Sequence, residues 1–417
     1  MLNAHAILRE LSFERIAGSA GERRAARIIE GHLRDLGVRY KVEPFTLQGF
    51  DTGTASVSCG GTKFPAHPFG LTKNHDIAGQ LAFVEDGEVV TKNKGAFRGK
   101  VVLTYTYTRP LSLMLKSAGI KALIAIGQPL REAPSWSYRQ KTFSQGYVPS
   151  VTVTYEDGIK LSRLDGKPVR ISIRQASGRR VAHNIVADIK GTRPDDNLTI
   201  ACGHYDGVAR SPGASDNGGG TVALIKLAEH FVRHRPARDL RIIFFSGEEL
   251  GLRGSFSYVR KHQAEVGKRA GLVVNIDVAG DDLGTNSLIV LGTPKLLGFA
   301  DGVTREIGRY FRTALDIYSS DCMPFAAREV PSVNISRWGG RPSSHIHTPG
   351  DAIGHTSERG LAPVIDAAQN LLSRVLNAGI YPVDREIDKA LREKIERYLY
   401  GSLLEKPKLE WTPDYQK

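Results

Sequence analysis

The run Leu240-Arg241-Ile242-Ile243-Phe244-Phe245-Ser246-Gly247-Glu248-Glu249 decides how the rest of the chain is read. Its first part is nearly all apolar and of strand length, the pattern of a parallel strand buried on both faces. A glycine then turns the chain and two adjacent carboxylates follow. Ligands of an open parallel sheet collect beyond the carboxyl ends of its strands. Acids at that point are therefore candidates for chemistry. The arrangement recurs along the chain. Residues 197–202 read as a strand, and Gly203-His204-Tyr205-Asp206 comes next. Residues 271–276 read as another, with Asp277 at once after it, and residues 332–336 lead through a glycine-rich loop to His345-Ile346-His347. Asp216 adds a further acid, just ahead of Gly218-Gly219-Gly220 and an expected helix over residues 221–233. There a carboxylate meets unpaired N–H groups and the positive end of the helix dipole.

Outward from these points, residues 184–189 and 287–291 are further strands, and residues 254–261, 294–310 and 357–376 are helices by their spacing. The alternation gives an α/β fold, a mixed and mostly parallel sheet sandwiched by helices. At the N-terminus Ala25, Ile29, Leu33 and Leu36 recur at helical spacing before Gly37, and residues 40–47 form a strand. Residues 49–179 have another texture. Short β-rich runs alternate there with loops rich in Gly, Pro and Ser, and no dense group of His and acidic residues occurs. The expected division is a discontinuous catalytic domain, residues 1–48 and 180–417, and a smaller β-rich inserted domain, residues 49–179. Residues 384–400 read as a charged amphipathic helix, and residues 406–417 as an extended end.

At 417 residues two domains are the natural expectation, and 41% hydrophobic residues provide for a substantial core. No stretch approaches the roughly 18 consecutive apolar residues of a membrane span. Residues 1–12 lack the apolar region of a secretory signal, so the expectation is a cytoplasmic protein, or a secreted one if a leader was removed. Cys59, Cys202 and Cys322 are far apart and suggest neither a thiolate zinc site nor a disulfide framework. The net charge of +13 comes from basic residues interleaved with acids, and the densest cluster, Arg233 to Arg241, has no interspersed aromatics, which argues for a solvated surface rather than a nucleic-acid site.

His204, Asp216, Glu249, Asp277 and His347 offer nitrogen and oxygen donors. They suit two metals sharing one bridging carboxylate, zinc above all, with cobalt or manganese as substitutes. One glutamate of the adjacent pair can ligate while the other moves protons. The stretches around these residues resemble the co-catalytic zinc exopeptidases, the family of bacterial leucyl-type aminopeptidases and aminopeptidase Y. The matching segments include Gly213-Ala214-Ser215-Asp216-Asn217, Gly247 to Ser255, Asn275-Ile276-Asp277 and His347-Thr348-Pro349-Gly350-Asp351, with Ser320-Asp321 and Pro324-Phe325 echoing another. The insert is similar to a protease-associated domain. The resemblance implies two Zn2+, one on His204, Asp277 and bridging Asp216, the other on Glu249, His347 and the same Asp216. It implies Glu248 as general base toward a metal-bridged water, Asp206 orienting His204, and peptide substrates cut from the N-terminus.

Two positions depart from the family pattern. Ile346 stands where close relatives often carry a tyrosine that polarises the substrate carbonyl, leaving Tyr205 and His345 as candidates. Cys322 stands where His or Tyr is frequent. Several rival readings lack support. His230 and His234 enclose no glutamate, the glycine run is not followed by Lys and Ser/Thr, and Ser255 lacks a nucleophile elbow. His345 competes with His347, but the Thr-Pro-Gly-Asp that follows favours His347. Three other functions stay open on the same fold: carboxypeptidase or dipeptidase action, a single-zinc acyltransferase of the glutaminyl cyclase kind, and a non-catalytic homologue.

Overall fold

A computed structural model describes residues 3–108, 111–193 and 196–403, and all counts below refer to these. The expected extended end at residues 406–417 lies outside them. Fifteen strands divide between two sheets. The catalytic sheet uses β1 (Arg39–Phe50), β9 (Ser177–Ile189), β10 (Leu198–His204), β11 (Leu240–Phe245), β12 (Ala270–Ile276), β13 (Thr285–Leu291), β14 (Arg312–Leu315) and β15 (Ser332–Trp338), in the order β1-β9-β11-β10-β12-β15-β13-β14. The central β11-β10-β12-β15 run is parallel, as is β13-β14, whereas β1-β9, β9-β11 and β13-β15 are antiparallel.

Successive side chains of a strand point to opposite faces, and both faces of this sheet are covered. Ile242 and Phe244 of β11 pack on one side with Leu272, Val274 and Ile276 of β12, under the helices Ala20–Asp35, Gly220–Arg233 and Glu358–Asn377. Ile243, Phe245 and Val273 face the other side, toward the helices Arg253–Lys261 and Lys389–Tyr398. This two-sided burial is why these strands read as apolar runs without alternation.

The remaining strands, β2 (Thr54–Cys59), β3 (Thr62–Pro68), β4 (His75–Asp86), β5 (Val101–Thr106), β6 (Ala122–Ile126), β7 (Ser150–Val153) and β8 (Pro168–Arg174), close into a barrel in the order β2-β3-β7-β6-β5-β4-β8. The barrel has its own core, with Val57, Leu103, Ile124, Val151 and Ile171 buried inside. β1 and β9 pair from Arg39↔Asp188 to Phe50↔Ser177, so the catalytic sheet runs a few residues past both expected domain limits and carries the barrel on a ribbon.

Several elements differ from their sequence readings. The helix begun at Pro294 stops at Glu306 rather than 310, because Gly308 turns left-handed at φ +68°. The tail helix is only Lys389–Tyr398, capped by Asp388, which accepts the Ala390 N–H at 2.8 Å. A first helix, Ala4–Leu11, buries Ala4, Ile7, Leu8 and Leu11. Among the described residues no helix is long and apolar enough to cross a membrane.

Candidate metal centre

β10 ends on His204, Gly247 at φ +75° turns the chain after β11 toward Glu248 and Glu249, and Asp277 follows β12. These parallel neighbours end at one edge of the sheet, so three chemistry-bearing segments meet there by topology alone. The loop carrying Asp216 is drawn onto the same edge by its neighbours. Asn217 donates through Nδ2 to the Ile276 carbonyl at 2.9 Å, and its Oδ1 accepts from the N–H groups of Gly220 at 3.0 Å and Val278 at 3.2 Å. Asp351 accepts from the N–H of Ser215 at 2.7 Å and of Asp216 at 3.0 Å. The glycine run serves this approach. A Cβ on Gly219 would stand 1.9 Å from the Ala279 carbonyl oxygen, and one on Gly220 would stand 2.1 Å from Asn217 Oδ1.

The candidate ligands converge in two groups, His204 with Asp216 and Asp277, and His347 with Asp216 and Glu249. His204 Nε2 lies 3.2 Å from Asp216 Oδ1 and 3.3 Å from Asp277 Oδ1. His347 Nε2 lies 3.1 Å from Asp216 Oδ2 and 3.2 Å from Glu249 Oε2. The two oxygens of Asp216 thus face different imidazoles. Glu249 Oε1 is buried without a hydrogen-bond partner, a costly state for a carboxylate unless a cation completes it. The donor set and this orphaned oxygen fit metal ions.

Burial works against charge on both imidazoles, yet the surrounding carboxylates outweigh it. Asp277, Asp206 and Asp216 raise His204 well above the usual range, and Glu249 with Asp216 pushes His347 up to about 10. Burial also opposes ionisation of Asp216, but the two histidines hold it well below ordinary carboxylates. Glu248 goes the other way. Burial lifts its carboxyl well above the usual range, His204 opposes this, and Glu249, Asp277 and Asp321 add to it. Glu249 beside it is raised too, by burial, with His347 opposing and Asp216 adding, so of the three carboxyls only the one between the two imidazoles is held down.

Asp206 ties two of these groups together. Its Oδ1 accepts the Glu248 N–H at 3.2 Å and lies 3.6 Å from His204 Nδ1, while its main-chain carbonyl is nearer that nitrogen at 3.2 Å. The carbonyl contact engages Nδ1 and leaves Nε2 facing the acids. Behind the site, buried Arg15 donates to the carbonyls of Tyr205 at 2.8 Å, Pro212 at 2.6 Å and Gly213 at 2.9 Å. Its guanidinium fixes the backbone on both sides of the Asp206 turn and sets a positive charge among buried acids.

The centre opens into a cavity of about 270 Å³, walled in part by Leu252, Tyr318, Trp338, Ile346, Tyr398 and Arg139. Tyr205 and His345 do not face it. Tyr205 Oη sits 2.6 Å from Glu22 Oε1, and His345 Nδ1 sits 2.8 Å from Glu132 Oε2. Cys322 is buried, its Sγ against the Tyr318 carbonyl at 3.3 Å. Two phenols stand on the wall, Tyr398 and Tyr318, and the Tyr318 Oη donates to the Asp277 carbonyl at 3.1 Å. Sequence reading passed over Tyr318, although it stands two residues before the Ser320-Asp321 segment. His230 and His234 stack on each other along the helix Gly220–Arg233, and neither lines this cavity.

Residues 184–372 match the model of peptidase family M28, a span that holds every candidate ligand and Glu248. Over that span the chain is similar to the peptidases of family M28. Aminopeptidase YwaD of Bacillus subtilis (strain 168) is 28% identical over 372 residues, covering 83% of this chain and 78% of that protein. Carboxypeptidase Q of Homo sapiens is 25% identical over 284 residues, 60% of this chain and 59% of the human one. The fold matches a solved zinc aminopeptidase from Bacillus subtilis with a TM-score of 0.74 at 23% identity, over 93% of this chain and 98% of that one. The match to the M28 model and the aminopeptidase relatives mark the chain as a metallo-exopeptidase.

Proposed function

We propose that this metallo-exopeptidase is a di-zinc aminopeptidase, releasing N-terminal residues from peptides, with His204, Asp216, Glu249, Asp277 and His347 as ligands. The observation that carries the count of two is Asp216, whose Oδ1 lies 3.2 Å from one imidazole and whose Oδ2 lies 3.1 Å from the other. One carboxylate shared between two histidines divides the donors into two sets, each with a histidine and a further acid. A single-zinc acyltransferase needs only one set. Cobalt or manganese would suit the same donors.

When bound, the ions supply Lewis acidity, polarising the scissile carbonyl and making water a nucleophile near neutral pH. The chain does the rest. Glu248, lifted by burial, takes the proton of the attacking water and returns it to the leaving nitrogen. Asp206 keeps His204 in one orientation and holds the Glu248 backbone beside it. With Ile346 unable to assist the carbonyl, the Tyr318 phenol, on the cavity wall beside Asp277, is the candidate for that role. The barrel we read as a protease-associated-type module.

Carboxypeptidase or dipeptidase action is the second reading. The human Carboxypeptidase Q relative and the cationic Arg139 on the wall, suited to a substrate carboxylate, favour it. Aminoacyl-anilides with free and N-acetylated amines decide between them. An aminopeptidase cleaves the free form alone, loses the activity to a chelator and regains it with zinc. Indifference to acetylation, or cleavage only of N-blocked peptides with a free C-terminus, overturns the first reading.

A further inference from the structure

Between β6 and β7 the barrel sends out the segment Arg131-Glu132-Ala133-Pro134-Ser135, which leaves its own core and lies against the catalytic unit. Each residue of the loop His345–Thr348 is held by it. Glu132 Oε2 accepts from His345 Nδ1 at 2.8 Å and lies 2.9 Å from Thr348 Oγ1. The Arg131 guanidinium donates to the Ile346 carbonyl at 3.2 Å, and the Ser135 N–H donates to the His347 carbonyl at 2.8 Å. The other side of the segment grips the loop that follows His204 and Asp206. Arg210 donates to the Ala133 carbonyl at 2.7 Å, and Ser135 Oγ donates to the Ala209 carbonyl at 2.5 Å.

Two features show that the loop is shaped around this grip. His347 has φ +65°, a left-handed backbone that a residue with a Cβ adopts only when its surroundings impose it. Its carbonyl is the one Ser135 takes. Gly350 leaves room for Glu132, because a Cβ there would stand 2.8 Å from Glu132 Oε2 and 2.7 Å from His345 Nδ1. Neither the backbone of His347 nor the side chains flanking it are fixed by the catalytic sheet alone.

We propose that Glu132, on the barrel, is a positioning residue for the metal half-site of His347, Glu249 and Asp216, so that the barrel is part of the metal centre. This rests on the two-zinc reading above. The other half-site shares Asp216 but takes His204 and Asp277 directly from strand ends, where Glu132 makes none of its hydrogen bonds. The two sites should therefore part company when Glu132 is cut back.

The test is zinc retention under graded chelator, with zinc per chain measured at each step and folding followed by circular dichroism. In Glu132→Ala one of two zinc ions should come off at about tenfold lower chelator strength, the low end of the loss seen when an outer partner of a ligand is removed, while the second is unmoved. Glu132→Gln, which keeps an acceptor for His345 and Thr348, should restore most of the difference. Thr348→Val, which removes one partner of Glu132 without touching the barrel, should shift the same ion by less. Identical retention in wild type and Glu132→Ala overturns the proposal, and so does equal weakening of both ions. A wild-type chain that binds a single zinc overturns the two-zinc reading instead, whatever Glu132 does.

Discussion

The catalytic sheet and the barrel are both built of short apolar strands, yet they expose them differently. Every residue of β12 is buried, whereas β8 of the barrel alternates, with Val169, Ile171 and Ile173 inside and Pro168, Arg170 and Arg174 out. Helices cover the sheet on both faces and leave its strand ends as the place where polar groups can gather. The barrel closes on itself, which removes its edges, and what it brings to the centre, Glu132 and the wall residue Arg139, comes from the connection between β6 and β7. Buried two-sided strands thus carry chemistry at their ends, and a closed barrel carries it in what it extends outward.

The largest effect that separates the regions is catalytic. Glu248→Gln should lower kcat by about 10²–10⁴-fold, the share of a general acid–base group, with zinc content unchanged by metal analysis. A comparable loss from a substitution inside the barrel core, in protein still folded, would break the division of labour.

Next in size is packing. Ile124 in the barrel and Ile242 in the sheet are both fully buried, and either cut to Ala should cost about 2–5 kcal/mol in denaturant unfolding. If the Arg131–Ser135 grip joins the units, activity of Ile124→Ala should vanish at the barrel's own transition. Survival of activity beyond that transition would mean two independent bodies.

Two histidines of opposite sign give a smaller contrast. Burial, with the like charge of Arg210, pushes His67 on the barrel from 6.5 down to about 4. The unfolded chain then binds a proton that the folded chain refuses, so this site costs stability as pH falls through that window. In the catalytic unit, the hydrogen bond to Glu22 raises His183. Its contribution is fully present below about 6.5 and lost as pH rises through the higher folded value. Thermal melts at pH 5 and pH 8 should show His67→Gln gaining relative stability at the acid end and His183→Gln losing it there.

Helix caps are the smallest and should not distinguish the regions. Ser19 accepts the Glu22 N–H in the catalytic unit and Thr154 accepts the Asp157 N–H in the barrel, each at 3.2 Å. Either replaced by Ala should cost about 1 kcal/mol by chemical denaturation. A much larger loss for one would show that its helix start also supports the contact between the units.

Much of this was legible without coordinates. Apolar runs ending in Gly203-His204, Gly247-Glu248-Glu249 and Asp277 report strands buried on both faces and the polar groups at their ends, because two-sided burial and an exposed edge leave their mark in consecutive residues. The same local logic marked the β-rich texture of the insert. The helix Ala4–Leu11 was legible too, through Ala4, Ile7, Leu8 and Leu11 at helical spacing.

What sequence could not contain is proximity between residues far apart in the chain. Arg139, Tyr318, Trp338 and Tyr398 belong to four separate segments, and only folding sets them around one cavity. Arg15 looks like a surface arginine until the carbonyls of Tyr205 and Gly213 close on it. Glu132 stands 213 positions before His345 in the chain and 2.8 Å from it in space. The sequence by itself determined which groups have the chemistry and which end of each strand presents them, since both follow from local pattern. The tertiary structure decided that His345 turns away to Glu132, that Asp216 turns one oxygen to each imidazole, and that the barrel holds the loop carrying His347. Those outcomes depend on hydrogen bonds and backbone geometry closed across distant segments, which no local pattern encodes.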